Sequence, residues 1–386
     1  MNNVEKNGFR ELKICDSHIH LITPDPLERT TNTFREIIKY FSFDRIALMG
    51  ITRCPVSELD PANNVKALYL KSVFNSERPH STFVYGSPLS FYDERDTAEG
   101  YLEQVRTLYE MGVDGYKILD GKPEFRKKLG KKLCDPVYDK MYSFIEEKGL
   151  PIKMHVADPH KFWEAKEMQM DYVIENNWWC GDGTFPTFQE LHDEVYSILE
   201  KFPKLKFCAA HCFYLSHDIE QLTEFLEKWE NTSIDLTPGT SNFLEFTKKP
   251  EEWKAFFKKY KHRIFFGTDI FNDFVEGDNP SKYEDYWTTA TTVRKMLEKT
   301  ENDGFDTIVG HLVPMNLDDE ILSDIYFNNH LRLHPKPHPI NKELVLKESQ
   351  KLLNSMQNGE FKLEKESYYP LETENLKTVI DYFSKI

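Results

Sequence analysis

A chain of 386 residues with 40% apolar and 14% aromatic side chains holds enough material for one large core, at a length α/β barrels reach as a single domain. Its formal net charge of −15 argues against a nucleic-acid partner, whose phosphates need a basic face, and against an anionic membrane surface. No apolar run approaches the roughly 20 residues of a membrane span, the opening stretch MNNVEKNGFRELK lacks the apolar run of a signal peptide, and the six cysteines include no CxxC pair, so a cytoplasmic, disulfide-free protein is expected.

In chain order, eight short stretches rich in apolar and β-branched residues recur, at 13–21, 45–52, 82–90, 113–120, 151–158, 206–212, 232–237 and 263–270. Several are apolar nearly throughout, as parallel strands buried on both faces are. Between them, 100–111, 137–148, 188–202, 219–229 and 251–260 carry apolar residues at helical spacing. Gly149-Leu150-Pro151 and Phe202-Pro203 stop helices just before a strand. This alternation predicts an α/β fold, a (β/α)8 TIM barrel, over 1–335. An open doubly wound sheet gains no support, because no GxGxxG follows any strand. Two long connections, 158–190 and 271–305, leave the carboxyl ends of strands five and eight, the face on which barrel enzymes build their sites. The alternative for both is a packing embellishment or subunit contact. Residues 336–386 read as a C-terminal helical extension packed on the barrel, with two helices in 342–386.

The chemistry concentrates at strand ends. Asp16-Ser17-His18-Ile19-His20 closes the first strand, and side chains at i, i+2 and i+4 share one face, so Asp16, His18 and His20 point the same way. Two imidazoles at that spacing make half of a divalent-metal site. The fifth strand ends on His155, the sixth on His211 and the eighth on Asp269. A closed barrel brings all of these to one mouth. Each alone is more often a satisfied core residue than a ligand, but buried His and Asp in four apolar strands are costly unless paired or metal-bound.

This order of motifs resembles the amidohydrolase superfamily, in its amidohydrolase-related branch. The resemblance runs from about residue 13 to 333 and takes in Phe202-Pro203 and the closing run Ile325-Tyr326-Phe327-Asn328-Asn329-His330-Leu331-Arg332-Leu333. It implies that His18, His20 and His155 ligate one divalent metal, commonly zinc, and that Asp269 completes the shell or acts as general base. His211 matches a catalytic histidine or a ligand of a second metal. Asp16 is expected behind the ligands, orienting the histidines. Lys117, near the end of the fourth strand, matches the position of a bridging carboxylated lysine in binuclear relatives; a substrate contact, or a lysine reaching to solvent, are its alternatives. One metal is the expectation, with a second left open.

The implied chemistry is hydrolysis of an amide, ester or lactone by a metal-activated water. The alternatives are a metal-dependent decarboxylase or hydratase on the same barrel, and a non-catalytic relative. Arg53, at the end of the second strand, offers a planar fork for a substrate carboxylate, so a small anionic substrate is expected. The lysines and arginine at 122–132 read as a solvated helix face. Trp178 and Trp179 are candidate aromatic walls of the pocket, against the alternative that they pack their loop onto the barrel. His160, in the same loop, is the remaining histidine of interest. A homodimer is the default oligomer.

Overall fold

The computed structural model describes residues 8–22, 25–52, 62–88, 95–237, 240–272, 291–307, 310–360 and 368–386. Its centre is a parallel sheet of eight strands in sequence order: β1 Cys15–Leu21, β2 Arg45–Gly50, β3 Thr82–Gly86, β4 Gly115–Gly121, β5 Ile152–Val156, β6 Phe207–Ala209, β7 Thr232–Asp235 and β8 Ile264–Phe265. Helices such as Ala98–Met111, Phe188–Lys201 and Ile219–Lys228 lie between successive strands. The sheet rolls up because the segment following β8 returns to β1. The amide of Ser17 donates to the Phe266 carbonyl (3.1 Å), that of His20 to Ile270 (2.8 Å), and that of Asp269 to His18 (2.9 Å). The fold is the expected (β/α)8 barrel.

Strand alternation sorts the core in two. Ala47 and Met49 of β2 with Phe83 and Tyr85 of β3 form an inner cluster, while Ile46, Leu48 and Val84 between them join the large cluster shared with the helices. Further round the ring the interior turns polar: Lys117 of β4 and Lys153 of β5 are register partners, and both are buried.

All eight expected strands form, but β6 and β8 end well before 212 and 270. Apolar composition alone does not mark where a ladder stops. Here the chain leaves it through left-handed backbone, at His211, Cys212, Phe213 and Tyr214 (φ 55, 56, 57 and 50°) and at Asp269 (φ 58°). The closing run earns its place mechanically: the Asn329 amide donates to the carbonyls of Lys261 (2.7 Å) and Ile264 (2.6 Å), and Phe266 N–H reaches the Ile325 carbonyl (3.0 Å). These bonds hold the short β8 in the ring.

The connection after β5 folds on itself through three short helical turns, His160–Trp163, Lys166–Met168 and Asp171–Glu175. Of the connection after β8, residues 273–290 lie outside the described residues. The tail forms the helices Lys342–Gln357 and Tyr368–Lys385, which pack on each other and on the helix Asn63–Glu77. A buried ion pair, Lys66 Nζ to Glu372 Oε2 at 2.9 Å, crosses that seam. Among the described residues no helix is long and apolar enough to cross a membrane, and Cys15, Cys134, Cys180, Cys208 and Cys212 are free thiols.

Candidate metal centre

His18 and His20 project from β1 into the barrel mouth, and the turn after β8 swings Asp269 against them. His20 Nε2 lies 2.6 Å from Asp269 Oδ1, and the two Nε2 atoms are 3.1 Å apart. His18 Nε2 is 3.4 Å from the same carboxylate oxygen. The ligating atoms of these three residues fall within 4.8 Å of one another. Gly267 makes the approach feasible, since a Cβ there would sit 2.8 Å from His18 Cβ and 2.7 Å from Thr237 Cγ2.

The donor set fits a divalent cation. His18 Nδ1 lies 2.8 Å from Asp235 Oδ2. An ionised carboxylate only accepts, so Nδ1 carries the hydrogen and Nε2 presents a lone pair to the cluster. Two imidazole nitrogens and a carboxylate oxygen suit zinc and its first-row neighbours. Burial holds His18 and His20 below the usual imidazole range, so both are neutral, as ligands must be. Burial pushes the Asp269 carboxyl up, but the neighbouring His20, His211 and His18 outweigh it and keep the group ionised.

Asp235, at the end of β7, is the hub behind the cluster. Its Oδ2 also takes the ammonium of Lys153 (2.8 Å), and its Oδ1 accepts from the His211 amide (2.9 Å) and the Thr237 hydroxyl (2.6 Å). Thr237 Oγ1 in turn meets His211 Nδ1 at 2.9 Å. Asp16 lies behind the ligand pair. It accepts from the backbone N–H of His18 (3.0 Å) and from Thr268 N–H and Oγ1–H (3.1 and 2.5 Å). It therefore fixes the backbone on both sides of the seam, and Asp235 orients the His18 ring.

The structure brings His18, His20, Asp269, Lys117 and His211 together. Lys117 Nζ is 2.8 Å from His18 Nε2, and burial pulls its pKa down to about 8 against the pull of Asp269 and Asp235. His211 Nε2 stands 4.0 Å from Asp269 Oδ2. Burial, with His155 adding to it, takes His211 to about 4. His155 remains outside the three-residue cluster: its Nε2 pairs with Asp158 Oδ1 at 3.2 Å, and its ring centroid is 4.7 Å from that of His211. Burial and then Lys122 hold it neutral, at about 3. Trp178 borders the rim, with Lys122 Nζ 5.7 Å from its ring centroid and 4.0 Å from Asp158. Trp179 donates to the Glu164 carbonyl (2.9 Å) inside its own loop. His160 stacks on His217, centroids 3.8 Å apart. Arg53 lies outside the described residues.

Sequence reading passed over Asp235, Lys153 and Thr237. The sequence marks only that a carboxylate ends the strand Thr232–Asp235, and not what it would gather around it. Lys153 sits two residues before His155, on the same inward face.

A model of the amidohydrolase family matches residues 88–325. No curated protein matches the chain. An uncharacterized TIM-barrel protein from Bordetella bronchiseptica is 12% identical, with 83% of this chain and 98% of that one covered and a TM-score of 0.50. For 4-oxalomesaconate hydratase from Rhodopseudomonas palustris the values are 13%, 89%, 99% and 0.46. For a dihydroxybenzoic acid decarboxylase from a Polaromonas species, with bound manganese and the inhibitor 2-nitroresorcinol, they are 10%, 83%, 96% and 0.46. At 12% identity the first of these speaks to the fold alone, whereas the family match covers more than half of the sequence and ends in the run that anchors β8. By that match the chain belongs to the amidohydrolase family.

Proposed function

We propose that the chain is a metal-dependent hydrolase of a C–N or C–O bond, in an amide, ester or lactone of a small carboxylate-bearing molecule. The observation that carries this reading is the convergence of His18 Nε2, His20 Nε2 and Asp269 Oδ1 on one point, with His18 held in the ligating tautomer by Asp235. His18, His20 and Asp269 would hold the ion, zinc being the expected one, and His155 joins them by giving up Asp158. When bound, such an ion supplies Lewis-acid polarisation of a carbonyl and a water of pKa about 7. With neutral imidazoles and one carboxylate as ligands, the site keeps a net positive charge, which favours water activation.

The chain's own residues handle the proton and the substrate. His211, neutral and facing Asp269 across 4.0 Å, takes the proton of the attacking water and returns it to the leaving nitrogen or oxygen. Asp269 stays ionised and steadies the imidazolium that forms. Lys117 inside the mouth, with Lys122 near Asp158 and Trp178, supports an anionic substrate, for which the sequence also offers Arg53.

The test is elemental analysis of the purified protein, followed by a panel of lactones, amides, esters and aromatic acids. About one metal per chain and hydrolysis products are expected. Carbon dioxide release in place of hydrolysis would make it a lyase. A protein that stays metal-free after dialysis against excess zinc, with His18→Ala of unchanged stability, is not a metalloenzyme. Unchanged KM in Arg53→Ala would remove the substrate-carboxylate contact.

A further inference from the structure

His211 can move a proton in the proposed reaction only if the right nitrogen is bare, and the tautomer of a neutral imidazole is set by its neighbours. Thr237 Oγ1 lies between Asp235 Oδ1 (2.6 Å) and His211 Nδ1 (2.9 Å). A hydroxyl has one hydrogen, and an ionised carboxylate can only accept it. Lys153, 2.8 Å from the other oxygen of Asp235, keeps that carboxylate charged. Once the Thr237 hydrogen is committed to Asp235, its oxygen offers His211 only lone pairs. Nδ1 must then bring the hydrogen, and Nε2 is left bare.

The ring cannot evade this by turning over. Its backbone N–H is held by Asp235 (2.9 Å) and its carbonyl by the Asn242 side-chain amide (2.8 Å). Tyr214 stacks on one side at 5.2 Å between centroids, and His155 meets it edge-on at 4.7 Å. A flip would put carbon where Nδ1 now meets Thr237.

We propose that Thr237 is a positioning residue: polarised by Asp235, it holds His211 as the Nδ1–H tautomer, so that Nε2 accepts a proton in the first step and donates it in the second. This rests on the hydrolase reading above. In the first step a water O–H bond breaks, its oxygen bonds the substrate carbonyl carbon as the C=O π pair moves onto the carbonyl oxygen, and the proton goes to His211 Nε2. In the second that pair re-forms the C=O bond, the C–N or C–O bond breaks with its pair going to the leaving atom, and the same proton passes to that atom. His211 ends as it began, its Nδ1 keeping its hydrogen and donating it to Thr237 Oγ1 throughout.

The experiment is a long-range ¹H–¹⁵N correlation spectrum of the metal-free, full-length protein with ¹⁵N-labelled histidine, which shows which ring nitrogen carries the hydrogen. His211 is identified by the signals lost in His211→Gln. The wild type and Thr237→Ser should show Nδ1 protonated and Nε2 bare, whereas Thr237→Val should shift both nitrogens towards averaged values as the second tautomer becomes populated. With metal and a hydrolysed substrate, Thr237→Val should lose about tenfold or more in kcat at unchanged KM, and Thr237→Ser should restore it. A wild-type His211 with its hydrogen on Nε2 overturns the proposal without any variant. So does a Thr237→Val spectrum identical to wild type; Thr237→Ala replaces it if the valine protein does not fold. The expected tautomer together with carbon dioxide release would sink the hydrolase reading and leave the role of Thr237 standing.

Discussion

Asp235 accepts from His18 Nδ1, Lys153 Nζ, the amides of His211 and Thr237, and the Thr237 hydroxyl, and it is fully buried. Burial works against its ionisation, but Lys153 and His18 outweigh it and hold its pKa well below the usual carboxylate range. Such a group is retained for what it orients. Asp235→Asn places an amide opposite His18 Nδ1 whose NH2 can donate, which favours hydrogen on Nε2, the ligating atom. Metal binding should weaken about ten- to hundredfold, as read by competition with a chelator. An unchanged affinity would mean that His18 keeps its tautomer without help. The ligand pair of β1 was legible in the sequence because strand spacing fixes which side chains share a face. The hub was not, because a single Asp on β7 gains its meaning only when β1, β5 and β6 are wrapped around it.

At the scale of elements, the strands were readable because they are buried on both faces, and their apolar runs survive any change of loop. Their carboxyl ends were not. Four consecutive left-handed residues from His211 to Tyr214, none of them glycine, each cost roughly 1–2 kcal/mol and follow no composition rule. The grip of Asp235 and Asn242 on the His211 backbone offsets part of that cost, and the cost falls where the side chain must be aimed. The helical extension is fastened in a more ordinary way. Lys66 and Glu372 are both buried, and removing one partner takes from the other its counter-charge at 2.9 Å. Glu372→Ala should cost about 3 kcal/mol in denaturant unfolding, while a Lys66→Met, Glu372→Leu double variant should recover most of it. Equal losses in both would point to packing in place of charge.

For the whole molecule, the interior is lined with imidazoles that burial keeps neutral, and this sets its response to acid. His334, under the barrel, meets the Tyr85 hydroxyl through Nε2 (2.8 Å), and burial lowers its pKa to about 4. Unfolded, it would bind a proton near 6.5. The unfolded state therefore takes up protons first, and stability present above pH 6.5 is lost as pH falls towards 4, by about 3 kcal/mol for this residue. His334→Gln should flatten the dependence of the unfolding free energy on pH between 6.5 and 4. An unaltered slope would assign the acid response to other groups.

The same hydrogen bonds that close the ring, from Asp269 to His18 and from His20 to Ile270, run through the proposed ligands. A cation shared by His18, His20 and Asp269 would act as a rivet between the first strand and the last, pinning residues about 250 positions apart in the chain. Loading it would then tie the cohesion of the barrel to metal supply, so that a starved cell would hold a looser protein as well as an idle one.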